Sequence, residues 1–304
     1  MDTQATLERT QSARGKKVTI CIVGTGEWGS KIEKIFLLHN YFDVRGTINS
    51  KTSQDDKERI INESEFVYIA VPQDIQFEYL MLAIKENKKI ICESPFLNSI
   101  DNRRMIKKTL ARVSNVSFLY VNYPYIFDPL YMSLAADLAA QDKVNFMDIV
   151  CSGPKYKDNE NLAKKLYSNQ SLAVAFKSAE LRGAFLSEIK FHDKHGEINF
   201  DDKLKVRFGY GYSEDNRINI IVRGPKYAKD MNFTYDEFDQ VVPMLNFFMS
   251  HNKNPERSAL SMQSAGRVFV DEANKVEMIS DLFVGLNGAE HVLDAKRYLL
   301  TATQ

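Results

Sequence analysis

The stretch Val18-Thr19-Ile20-Cys21-Ile22-Val23-Gly24-Thr25-Gly26-Glu27-Trp28-Gly29 decides the fold. Its first six residues form an apolar run of strand length, the pattern of a strand covered on both faces. The next six read G-x-G-x-x-G, and beyond them a helix is expected to run to about Leu38. A glycine triad between a buried strand and a helix has a mechanical reading. The first glycine allows a tight turn, the second lets the backbone approach a pyrophosphate, and the third lets helix pack closely on strand, while the helix N-terminus faces the anion. The triad alone is weak evidence; its place between strand and helix makes the dinucleotide reading much stronger than a bare glycine turn. Gly24, Gly26, Glu27, Trp28 and Gly29 are the candidate contacts, with Trp28 read mainly as a packing residue.

Working outward, strands are expected over Val44–Ile48, Phe66–Val71, Lys89–Cys92 and Val116–Val121, with helices over Ile75–Glu86 and Ile100–Arg112. Apolar strands separated by helices imply a parallel sheet covered on both sides. After Pro124 the alternation stops. A helix over Pro129–Ala140, a strand over Asn145–Ser152 and a long helix over Leu172–Phe191 are expected. Two strands of antiparallel character follow, Lys203–Tyr212 and Arg217–Val222, then helices near Asp236–Ser250 and Glu256–Phe283. The fold class is therefore α/β: an N-terminal Rossmann parallel sheet followed by an α+β domain with a mainly antiparallel sheet. The boundaries read as a flexible tail over 1–16, a dinucleotide domain over 17–122 and a substrate and oligomerisation domain over 123–304.

Composition narrows the function classes. The 304 residues carry 40 Lys+Arg against 40 Asp+Glu, so no global positive charge recruits nucleic acid or an anionic membrane. No run approaches the roughly 18 apolar residues of a membrane span, and Met1–Gly15 lacks the apolar centre of a signal peptide. Cys21, Cys92 and Cys151 show no paired spacing, and the first two sit in apolar runs. They read as reduced core thiols of a cytoplasmic protein. His39, His192, His195, His251 and His291 show no metal-ligand spacing along the chain, so no metal site is expected.

NAD-selective sites place an acidic residue about 20 residues beyond the glycines, on the ribose 2′-hydroxyl. Here the second strand ends in Asn49-Ser50-Lys51-Thr52, with no acid. A carboxylate would repel a 2′-phosphate, whereas a hydroxyl and an ammonium receive one. NADP(H) is therefore preferred, with NAD(H) as the alternative, and Asn49, Ser50 and Lys51 join the candidate contacts.

Three further segments follow in order: Ala70-Val71-Pro72-Gln73-Asp74-Ile75-Gln76, then Asn87-Lys88-Lys89-Ile90-Ile91, then Cys92-Glu93-Ser94-Pro95-Phe96-Leu97. With the glycine triad they resemble, in order and spacing, the Gfo/Idh/MocA oxidoreductases, whose pattern is a T-P-x3-H turn, a G-K-x-V strand and a C-E-K-P motif. The resemblance is strong to Val121 and architectural beyond it. It implies Val71, Pro72, Glu93, Ser94 and Asn122 as cofactor contacts, a cis Ser94–Pro95 peptide, and a homodimer or homotetramer paired through the open sheet of the second domain.

Two positions depart from the family pattern. Ser94 stands where the family has the lysine that assists proton transfer, and Gln76 stands where it has a histidine. A neutral serine cannot replace an ammonium. Similar lysine-lacking relatives are biliverdin reductases and thiazolinyl imine reductases. The departure suggests an NADP(H)-dependent reductase of a small imine-like, conjugated or carbonyl substrate, a biliverdin-reductase-like enzyme, or a non-catalytic dinucleotide-binding sensor or scaffold.

The resemblance also implies a G-G-x-L-x-D-x-x-x-H element on the long helix of the substrate domain, assigned here to Gly183–His192. On a helix Glu188 and His192 would share a face, and the carboxylate would raise the imidazole pKa toward use as a proton donor. A solvent-facing Glu/His pair is an equally good account of the same residues. Tyr123 and Tyr125 follow the fifth strand and are further candidate catalytic groups. Lys155, Tyr156 and Lys157 are weaker ones.

Overall fold

The computed structural model describes residues 17–39, 41–112, 119–127, 129–140, 144–154, 159–193, 195–235, 241, 271, 273–285 and 291–294. They fall into two compact units. The first holds the chain up to Glu93 together with Lys108–Tyr120; the second holds Ser94–Lys107 and the chain from Val121 onward.

The first unit is built on a parallel sheet. Its strands are β1 (Val18–Val23), β2 (Phe42–Ile48), β3 (Phe66–Ile69), β4 (Lys89–Glu93) and β5 (Leu119–Asn122), in the order β2-β1-β3-β4-β5. Between them along the chain lie the helices α1 (Glu27–Leu38), α2 (Gln54–Asn62), α3 (Gln73–Lys85) and α4 (Ile100–Arg112), the last with its residues up to Lys107 in the second unit. Ile20, Cys21, Ile22 and Val23 are fully buried, which is why β1 reads as an unbroken apolar run. Each isoleucine so buried contributes about 1.5–3 kcal/mol. Helix α1 buries Gly29, Ile32, Ile35 and Phe36, a stripe at helical spacing. Helix α2 has no such stripe to reveal it. It starts where the Ser53 side chain accepts a hydrogen bond from the Asp56 amide, and it buries only Ile60 and Ile61.

The sheet order reverses between β1 and β3, since β1 leads to β2 on one side and β3 lies on the other. The carboxyl ends of strands at such a reversal are where ligands of open α/β sheets gather. The Ser94–Pro95 peptide that follows β4 is cis, in agreement with the resemblance.

The second unit contains a seven-stranded sheet. Its strands are β6 (Phe146–Gly153), β7 (Leu186–Phe191), β8 (His195–Phe200), β9 (Leu204–Tyr212), β10 (Asn216–Gly224), β11 (Tyr227–Tyr235) and β12 (His291–Asp294). The order is β11-β10-β6-β9-β8-β7-β12, antiparallel throughout except for the parallel pair β6–β9. The expected strands β9 and β10 are present but are not neighbours, because β6 lies between them. Met147, Ile149 and Cys151 of β6 stand opposite Val222, Ile220 and Ile218 of β10, and all six are buried. Helix α5 (Pro129–Ala140) lies before β6 and helix α6 (Glu160–Leu181) after it, and α6 packs across β6 and β9. A last helix, α7, covers residues 273–285.

The expected helix over Leu172–Phe191 is corrected. Helix α6 starts at Glu160, capped by the Asn159 side chain, and ends at Leu181. Gly183 adopts a positive φ of 55°, and the amides of Gly183 and Ala184 donate to the Glu180 and Ala179 carbonyls. This is how glycine closes a helix. The chain then re-emerges as β7. Of the two expected C-terminal helices, residues 241, 271 and 273–283 are helical; the rest of both ranges, with His251, lies outside the described residues, as do residues 1–16. Among the described residues no helix is long and apolar enough to cross a membrane. None of the three cysteines forms a disulfide, and all three are buried. Burial pushes the Cys21 and Cys151 thiols up to about 12, which makes them unreactive.

Gly196 of β8 stands directly opposite Phe208 of β9, and a β-carbon there would come within 2.3 Å of the phenyl ring. Phe208 is fully buried and has nowhere to move. Gly196→Ala is therefore expected to lower unfolding free energy by about 1–3 kcal/mol, the usual range for overpacking. A urea melt of the full chain checks this through its midpoint.

Candidate functional site

At the carboxyl end of β1 the three glycines do different things. Gly24 has φ 112° and its amide donates to the Ile48 carbonyl at 2.8 Å. A β-carbon on Gly24 would stand 2.1 Å from the Ala70 carbonyl oxygen, so the loops after β1 and β3 meet backbone to backbone. A β-carbon on Gly29 would stand 2.1 Å from the Gly24 carbonyl oxygen, so helix α1 is held against its own entry turn. Gly26 differs: nothing lies within 4 Å of where its β-carbon would be. It occupies the cap position of α1, is exposed, and makes no side-chain cap. A helix start lacking such a cap has amide donors to offer an anion. Glu27 is exposed and pairs with Lys31 one turn on, at 3.0 Å. Trp28 is half-buried, and its indole nitrogen is buried with no hydrogen-bond partner among the described residues.

The turn after β2 is organised by Asn49. Its side-chain oxygen accepts from the Lys51 amide at 2.8 Å, and its own amide donates to the Thr52 hydroxyl at 3.0 Å. Ser50 and Lys51 are left exposed, with no carboxylate in the turn.

Val71 and Pro72 form the turn into α3. The buried Gln76 side chain donates to the Val71 carbonyl and to the Glu93 carbonyl, both at 3.2 Å. It ties the β3 exit to the end of β4, a job for an amide that bears no charge. The Glu93 carboxylate accepts from the Tyr68 hydroxyl.

In the second unit Ser94 belongs to a buried polar cluster that sequence reasoning missed. The Asn169 side-chain nitrogen donates to the Ser94 hydroxyl at 3.4 Å and to the Glu277 carboxylate at 2.8 Å. The same Glu277 oxygen accepts from the Phe96 amide at 2.6 Å. The Lys165 ammonium lies 3.2 Å from the other Glu277 oxygen and 2.6 Å from Asp281, which also pairs with Arg103 at 3.2 Å. Glu277 is fully buried. Burial pushes its pKa up, against the downward pull of the Lys165 charge and the Phe96 amide. Lys165 and Asn169 are four residues apart on α6, so they share one helix face. The signal available in the sequence was that i,i+4 spacing, obscured by the polar run Ser168–Ser171, all of it buried.

The helical pairing of Glu188 with His192 is corrected, because both lie on strand or turn. Glu188 on β7 accepts from Asn199 at 2.8 Å and pairs with Lys190 at 3.1 Å. His192 follows β7 and stacks on His195, ring centroids 4.6 Å apart. The premise that Glu188 orients His192 is therefore gone. Burial and the charges of His192 and Arg207 lower the His195 pKa. Asn122, Tyr123 and Tyr125 are buried at and beyond the end of β5. Lys155, Tyr156 and Lys157 lie outside the described residues.

No family model matches the chain, and no curated protein sequence matches it. Solved structures do share its fold. GenD2 from gentamicin A biosynthesis, in complex with NAD, superposes with a TM-score of 0.67 at 12% identity, covering 92% of this chain and 97% of that one. An inositol dehydrogenase homolog complexed with NAD+ from Azotobacter vinelandii gives 0.67 at 10% identity, over 92% and 98%. Apo scyllo-inositol dehydrogenase from Lactobacillus casei gives 0.63 at 12% identity, over 92% and 99%. The chain thus shares the two-domain fold of these structures, with the Rossmann-like parallel sheet first and the mixed sheet second.

The glycine contacts and the buried carboxylate both have measurable consequences for stability. Gly24→Ala forces a β-carbon into a carbonyl and is expected to prevent stable folding, whereas Gly26→Ala is expected to cost less than about 1 kcal/mol; thermal melts of the two variants distinguish them. Glu277→Ala strands a buried amide, an asparagine and part of the Lys165 charge. It is expected to cost about 3–5 kcal/mol, and Glu277→Gln clearly less, as read from urea midpoints.

Proposed function

We propose that this protein is a nicotinamide-dinucleotide-dependent oxidoreductase of a small molecule, with NADP(H) preferred over NAD(H). The observation that carries the reading is the open backbone at Gly26, between two glycines that tolerate no side chain. Two solved structures of the same fold, GenD2 and the Azotobacter vinelandii homolog, are complexes with NAD or NAD+, which supports a dinucleotide on this scaffold. A bound nicotinamide supplies or accepts hydride.

The chain's own residues serve that chemistry as follows. The first turn of α1 and the Gly26 backbone receive the pyrophosphate. The exposed Ser50 hydroxyl and Lys51 ammonium receive the 2′-phosphate. Gln76 holds the Val71–Pro72 turn to the Glu93 backbone. On the substrate side Ser94 offers a neutral hydroxyl backed by Asn169. Neutral groups orient a polar atom but do not supply an ammonium's charge, which suits reduction of an imine-like or conjugated bond better than oxidation of an alcohol. The resemblance to lysine-lacking imine and biliverdin reductases supports the same choice.

A second reading, a dinucleotide-binding sensor without catalysis, is favoured by one observation. Ser94 is enclosed in a network with Asn169 and Glu277, and the Lys165 ammonium is held by two carboxylates.

Calorimetric titration is expected to show NADPH binding at least about tenfold tighter than NADH, a difference of about 1.4 kcal/mol that one charge-assisted contact can supply. Lys51→Ala should abolish the difference, and Gly26→Val should weaken both nucleotides. Equal affinities overturn the NADP(H) preference, and failure of both nucleotides to bind overturns the proposal. An NADPH-oxidation screen across imines, bilins and keto-sugars is expected to find turnover. Tight NADPH binding with no turnover in any class moves the conclusion to the sensor.

A further inference from the structure

The hairpin β7–β8 brings together three side chains that the proposed redox function does not use. The His192 amide donates to the His195 carbonyl at 2.9 Å and closes the turn, and Phe191 stands opposite Gly196. That register puts His192 opposite His195, on one face of the hairpin. Glu197 lies two residues beyond His195 and so projects on the same side. Ile198 and Phe200 point the other way, into the core. One ligand atom from each of His192, His195 and Glu197 can be chosen so that all three lie within 4.8 Å of one another, and all three side chains are half-buried. Among the described residues this is the one group of three histidine, cysteine or acidic side chains that converges in this way.

We propose that His192, His195 and Glu197 form a binding site for a divalent transition-metal ion of the zinc class. Two imidazoles and one carboxylate match the donor preference of Zn²⁺, which binds nitrogen at about 2.0–2.1 Å and carboxylate oxygen at about 2.0–2.2 Å. Tetrahedral ligands at those lengths stand about 3.4 Å apart. The present spacing therefore needs only side-chain rotation, chiefly a turn of the two rings out of their stack, on a backbone fixed by the strand register. Three protein donors leave the fourth position for water or an incoming ligand atom.

The surrounding charges set the terms of binding. The Lys205 ammonium lies 2.7 Å from Glu197 and competes with a cation for the carboxylate. The Arg207 guanidinium is bound to Asp148, which offsets its charge. Lys205 is substantially exposed, so its side chain can swing clear.

The test is a titration of the full chain with Zn²⁺ against a chromophoric chelator, with Co²⁺ absorption reporting the coordination geometry. One saturable equivalent that depends on these residues is expected. His192→Ala and His195→Ala should each weaken it by at least about tenfold, since even outer-sphere partners of a metal are worth about 10–100-fold. Lys205→Met keeps all three donors and frees Glu197, so it should tighten binding. The proposal is overturned by an absence of saturable uptake, by an affinity unchanged in the His192→Ala/His195→Ala double variant, or by no gain in Lys205→Met.

Discussion

The first unit depends on two places where backbone meets backbone with no room for a side chain. Gly24 lies against the Ala70 carbonyl, and Gly29 lies against Gly24. The first contact sets the loops after β1 and β3 side by side where the sheet order reverses. The second sets the start of α1 over the end of β1. Both are exclusion constraints, and they act by fixing positions. Between these two contacts the start of α1 carries no side-chain cap and is open at Gly26. Gln76 extends the same frame by joining the β3 exit to the last residue of β4.

A different principle organises the second unit around Ser94. There a buried carboxylate, Glu277, collects the Phe96 amide, the Asn169 amide and the Lys165 ammonium. Removing such a charge from water is expensive, and the pairing offsets that cost only when its partners are all in place. Lys165 and Arg103 against Glu277 and Asp281 make a balanced set of two cations and two anions if all are ionised. The network therefore fixes the backbone at Ser94–Phe96 and leaves little freedom for a charged replacement at Ser94. The side chain at position 94 is accordingly a neutral hydroxyl that accepts from Asn169.

Different parts of this architecture were legible in the sequence to different degrees. The β1–Gly24–α1 unit was readable because each glycine occupies a position with a distinct steric demand, and because both-face burial makes β1 uniformly apolar. Helix α6 was misplaced for the converse reason. Its first half, Glu160–Ser171, reads as a polar surface segment, yet Ser168, Asn169, Gln170 and Ser171 are buried, with Asn169 and Ser171 engaged in tertiary hydrogen bonds. Past Leu181, Gly183 closes the helix with a positive φ, and the apolar residues beyond it fit a helical period as well as the strand period of β7. With that helix went the supposed Glu188–His192 pair. The His192, His195 and Glu197 group lay beyond linear reading, since its convergence depends on the register of a hairpin.

On the proposed function, the glycine cradle at the start of α1 receives a nicotinamide dinucleotide. Trp28 sits within that cradle and is the single tryptophan of the chain. Its emission during an NADPH titration of the full chain is therefore the most direct measurement. Saturable quenching of Trp28 emission is expected, with sensitised nicotinamide emission on tryptophan excitation and both signals lost together in Gly26→Val. Trp28 emission that stays unchanged while calorimetry reports NADPH bound would place the nucleotide elsewhere and rule out the glycine cradle as its site.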